Sequence, residues 1–117
     1  MLQIAPSQID AFAQAGVRGL APRIDAWLQG AAPGWTALAP AVRETELARM
    51  LDLAQACGMY SERDYAVFAW VCAMLGPGWA SQLSKPELRQ VLQSPEWTPE
   101  AKLMRLDETF KLDRRSR

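Results

Sequence analysis

From Tyr65 to Leu75 the chain runs eleven residues without a charge, and its apolar side chains fall on every face of the helix this stretch would form. Tyr65, Phe68 and Cys72 share one face, and Val67, Val71 and Met74 share another, with Trp70 alongside. A helix that is apolar all round has to be covered on every side, so the rest of the chain, or a protein partner on one face, must supply the cover. Eleven residues rise only about 16 Å as a helix, too short for a bilayer core of about 30 Å. The spacing predicts an interior helix of a globular bundle and no membrane span.

The remaining sequence reads as helix too. No stretch alternates apolar and polar residues for long, β-branched residues are scarce, and Ala, Leu, Gln, Glu and Arg dominate. A first helix is expected from Ser7, as N-cap, to Gln29, with Ile9, Phe12, Ala13, Gly16, Val17, Leu20, Ile24, Trp27 and Leu28 on one stripe and a kink or split at Pro22. A second begins near Pro40, buries Val42, Leu47, Met50, Leu51 and Ala54, and ends at Gly58. Ser61-Glu62-Arg63-Asp64 caps the third, and Gly76-Pro77-Gly78 stops it. A fourth starts at Pro86 and breaks at Ser94-Pro95. The last starts at Thr98-Pro99 with a Leu103, Leu106 and Phe110 seam. The 117 residues suit one domain: an all-α, single compact bundle of about five helices around the central apolar helix, followed by a short basic C-terminal tail at Arg114, Arg115 and Arg117.

Composition excludes several kinds of chemistry. Thirteen basic residues balance thirteen acidic ones, so nothing draws the whole chain to nucleic acid or to an anionic membrane. There is no histidine, which removes the common general base and zinc ligand. Cys57 and Cys72 are too few for a four-thiolate zinc site, lack histidines to complete one, and read as buried free thiols, able to pair only if their two helices pack side by side. Glu44 with Glu46, Glu62 with Asp64, and Asp107 with Glu108 lie one or two residues apart and do not face each other on a helix. No nucleophile elbow or phosphate loop is present. The expectation is a non-enzyme with no cofactor and no metal. Met1 to Pro6 shows no secretory signal, which points to the cytoplasm and reduced thiols.

What the chain does offer is aromatic: Trp27, Trp35, Trp70, Trp79 and Trp97 in a short sequence. Trp35, Trp79 and Trp97 each lie close to a Gly or Pro break, where side chains are often half covered. Exposed aromatic clusters anchor protein interfaces, so Tyr65, Trp70, Trp79 and Trp97 are the candidate protein-binding residues.

The stretch Ala54-Gln55-Ala56-Cys57-Gly58-Met59-Tyr60-Ser61-Glu62-Arg63-Asp64-Tyr65-Ala66-Val67-Phe68, followed by Leu75-Gly76-Pro77-Gly78-Trp79, resembles a family of small helical accessory proteins from bacterial type VI secretion effector gene clusters. That family's pattern is an alanine, a tyrosine-glycine-hydrophobic turn, a Ser-Glu-Arg-Asp-like helix start, an apolar helix, then Leu-Gly-Pro and an aromatic residue. Cys57 stands where the family often has tyrosine, and Trp79 where phenylalanine is common. Val91-Leu92 and Ala101-Lys102-Leu103-Met104 also fit, whereas Met1 to Ala39 matches only in helical character. The resemblance implies a co-chaperone or adaptor partner that stabilises or loads a toxin, bound to the effector toxin, to an effector-loading chaperone, or to both. The alternative is an immunity protein that neutralises a cognate toxin by direct binding. A homo-oligomer is compatible with either, and the resemblance supplies no catalytic residues.

Overall fold

The computed structural model describes residues 17–111, and these form an all-α bundle without strands. A single helical turn, Val17–Gly19, leads into α1 (Ala21–Ala31). Then follow α2 (Pro40–Ala56), α3 (Glu62–Leu75), the short α4 (Trp79–Leu83), α5 (Pro86–Gln93) and α6 (Pro99–Phe110). The break expected at Pro22 is a true split, with Pro22 in the first turn of α1, where its missing N–H costs nothing. Ser7 and the stripe from Ile9 to Gly16 lie outside the described residues, as do Arg114, Arg115 and Arg117.

Local chemistry sets the helix ends. Gly58, at φ +89°, closes α2: its N–H donates to the Gln55 carbonyl (3.1 Å), and the Met59 N–H reaches back to Ala54 (3.0 Å). This is the left-handed termination that glycine favours. At the start of α3 the Ser61 hydroxyl accepts from the Asp64 N–H (3.0 Å) while the Asp64 carboxylate accepts from the Ser61 N–H (3.3 Å), so two otherwise orphaned donors are satisfied reciprocally. Thr98 caps α6 through the Ala101 N–H.

Helix α3 is the centre. It packs against α1, α2, α4 and α6, and it buries Tyr65, Phe68, Ala69, Val71 and Cys72. Ion pair Arg23–Glu62 and the bond from the Trp70 indole to the Ala31 carbonyl are both offset by eight residues along each helix, so α1 and α3 run in the same direction. Three expectations need correction. Trp27 is 45% exposed because it projects about 100° around α1 from the buried Leu28. Val42, in the first turn of α2, is likewise exposed while Leu47, Met50, Leu51 and Ala54 are buried. Gly76–Gly78 does not simply stop α3 but continues as a 3-10 turn into α4. Glu62–Leu83 thereby becomes a 22-residue stretch long and apolar enough, by length and composition, to cross a membrane, a longer run than the uncharged residues alone suggest. In this fold it is the helix around which the others pack.

Candidate protein-binding face

Two carboxylates decide which tryptophans turn inward. Asp25 on α1 accepts from the Trp35 indole (2.8 Å), the Arg43 guanidinium (3.0 Å) and the Gln29 amide (2.9 Å), tying the α1–α2 loop to both helices. Glu46 on α2 accepts from the Trp79 indole (3.1 Å) and from Arg49 (2.7 Å), and the Arg49 guanidinium sits 5.1 Å from the centre of the Trp79 ring. A buried indole requires an acceptor for its N–H, and each of these finds one on a carboxylate also held by arginine. Burial alone would raise the pKa of Asp25, but the hydrogen bonds from Trp35, Arg43 and Gln29 outweigh it and hold the carboxyl below its ordinary value. A depressed folded pKa gives stability that is fully present above the unfolded value of about 4 and is lost as pH falls through the folded value. Urea midpoints of wild type should therefore drop more steeply below about pH 4 than those of Asp25→Asn. Identical acid limbs for the two proteins would contradict this role for Asp25.

The four candidate binding residues part company here. Tyr65 (1% exposed) and Trp79 (3%) are core residues, so neither presents a ring to a partner. Tyr65 sits on the side of α3 that packs inward, where burial, helped by the Asp64 charge, pushes its phenol up to about 12. Trp79 is turned in by Glu46. Trp70 is half-buried with its N–H bound to Ala31, and one edge lines a surface groove. Trp97, 40% exposed between the two Pro breaks, remains on the surface but lines neither groove described next.

The outer side of α3 is left partly open. Arg63 and Val67 form a ridge between two adjoining grooves. The first, about 560 Å³, lies between α3 and α1, where Trp27 and Ile24 face Ala66 and the Arg23–Glu62 ion pair (2.8 Å) stands at the rim. The second, about 270 Å³, lies between α3 and α6, with Trp70 and Val71 facing Leu103 and Met104. Trp27 and Met104, 59% exposed, are its most open apolar side chains and are absent from the four candidates. Their signal in the sequence is faint: Trp27 stands one residue before the buried Leu28, and Met104 lies two residues from both buried positions of α6, Lys102 and Leu106.

Reactive groups are not gathered at this face. Both thiols are free and buried in the α2–α3 interior; burial pushes Cys57 up against the opposing pull of Lys102, and pushes Cys72 well up, which disfavours the nucleophilic thiolate. Among the described residues no three His, Cys, Asp or Glu side chains are placed to hold a metal ion. The sequence reading also missed Lys102, a lysine 4% exposed whose ammonium donates to the Cys57 carbonyl at 2.8 Å. Its position four residues before the buried Leu106, on the same helical face, is the available hint.

No protein-family model matches the chain, and no curated protein or solved structure matches it.

Proposed function

We propose that this chain is a protein-binding accessory factor of a type VI secretion effector module, a cytoplasmic co-chaperone or adaptor partner that stabilises or loads a toxin. The observation that carries the binding half is the paired grooves on the outer side of α3, apolar along their floors and charged at their rims, with Trp27 and Met104 open to solvent. Apolar floors with polar rims are the anatomy of a protein interface, and a groove between helices suits an inserted helix with anchors three and four residues apart. The secretion half rests on the resemblance carried by residues 54–79. Binding rather than catalysis fits a chain without histidine whose thiols are held protonated.

Co-expression with the toxin and the loading chaperone encoded beside it tests the reading. The chain should co-purify with one of them and raise the toxin's solubility or loading. Trp27→Ala and Met104→Ala should each weaken capture by about 2 kcal/mol, roughly thirtyfold, with unchanged far-UV circular dichroism. Capture indifferent to both substitutions would remove the grooves from the interface. Rescue of growth from the toxin by this chain alone would assign it the immunity role instead.

A further inference from the structure

The α3–α6 groove, about 270 Å³, is too small for the helix a partner would insert. A helix with its side chains is about 10 Å across, so two turns of one fill roughly 800 Å³. One wall of the groove is lightly anchored. Of the twelve residues of α6 only Lys102 and Leu106 are buried, against five of fourteen on α3. Leu103 and Phe110 are half-buried, and Met104 is exposed. Helix α6 packs on α3 and α5, and residues 95–98, which join it to α5, are all exposed. Asp107 is also engaged within the chain. We propose that α6 is the movable wall of the partner site. It swings off α3 as a unit about residues 95–98, with Lys102 as its latch. The partner's helix enters the opened seam between Val67, Trp70 and Val71 on one side and Leu103 and Met104 on the other. This concerns the regulation of the site in the proposed function and rests on that reading.

The chemistry of Lys102 suits a latch. Its ammonium reaches across to α2 and donates to the Cys57 carbonyl at 2.8 Å, although only 4% of the residue is exposed. While α6 is docked, that ammonium has lost its hydration. When α6 leaves, the ammonium and the carbonyl both regain water, so little is lost with the bond itself. Removing the lysine alone is different, because the carbonyl then stays buried without a donor as long as α6 is docked. Lys102→Ala therefore weakens the docked form and favours the open one. Leu106 is left as the one fully buried apolar side chain opposing release, and few buried apolar contacts mark a segment that opens locally.

Native-state hydrogen exchange on the full chain at low urea tests the opening. Amides from Lys102 to Phe110 should converge on one opening free energy and depend weakly on urea. They should exchange at least about tenfold faster than those of Phe68 to Cys72. Phe68→Leu lies outside the moving wall, so it should speed exchange in α3 about tenfold and leave α6 unchanged. Protection graded inward from Phe110 would be the fraying of a helix end, and α6 amides that exchange only with the whole chain would make α6 part of the fixed core. Either result overturns the proposal. In capture of the toxin or the loading chaperone, Lys102→Ala should tighten binding about tenfold or more, because more of the chain is then open. Lys102→Met, which keeps the buried stem, should tighten it less. Capture unchanged or weakened by both variants would overturn the latch. No capture by the wild-type chain would sink the proposed function, and exchange alone would then decide whether α6 moves.

Discussion

Phe68→Ala is expected to lower the unfolding free energy by about 4 kcal/mol. Phe68 has no exposed surface, and it lies at the middle of α3, the helix on which α1, α2, α4 and α6 all pack. Its ring is therefore wedged among several elements, and no single one can move to fill the space it leaves. Truncation removes apolar burial and leaves a cavity, and the two losses add. A domain of this size has a total stability of only about 5–15 kcal/mol, so urea unfolding should show a large fall in midpoint with little change in slope. Phe68→Leu, which keeps most of the volume, should cost less than half as much. A loss under about 1 kcal/mol for Phe68→Ala would mean that α3 is not the centre of the packed core.

Lys102→Ala should cost about 3 kcal/mol, more than its place on a short C-terminal helix suggests. The Lys102 ammonium reaches from α6 to the carbonyl of Cys57, the residue that caps the C-terminus of α2. That end of a helix carries partial negative charge and unpaired carbonyls, which favour a cation. Burying an ammonium is costly unless it is so paired. Gly58 lies beside it: a Cβ there would only touch the Lys102 Nζ at 3.4 Å, but it would strain a backbone at φ +89°. Substitution by alanine strips the four-carbon stem from the interior and leaves a buried carbonyl without its donor. Lys102→Met restores the stem but not the charge, so it should recover part of the loss and settle at about 2 kcal/mol. Methionine matching or exceeding wild type in urea would show instead that desolvating the ammonium costs more than its bond returns.

The helix boundaries were legible because their causes lie within a few residues of each end. Ser61 and Asp64, Gln55 and Gly58, and Thr98 with Pro99 are local pairings, readable from spacing. The centrality of α3 was legible as well, since a helix apolar on all faces calls for neighbours on most of its sides; that its outer side stays partly open was not. The destination of each aromatic ring was not. Trp35 is held by a carboxylate ten residues away, Trp79 by one 33 residues away, and Trp70 by a carbonyl 39 residues away. Proximity to a glycine or proline break predicts exposure for Trp35 and Trp79 when their distant acceptors are unknown. It holds for Trp97 alone of the three, where the side chain does remain open.

By itself, then, the order of residues determined the longer helices, the caps that end α2 and start α3 and α6, the element at the centre, and the scarcity of reactive side chains. All of these follow from period, capping and composition. Tertiary structure alone decided which rings went inside, that Lys102 closes the end of α2, and that the open surface runs along the α3 ridge with Trp27 and Met104 on either side. Those outcomes depend on which helices become neighbours, and a side chain one step off a buried stripe is covered or bare according to where the next helix falls.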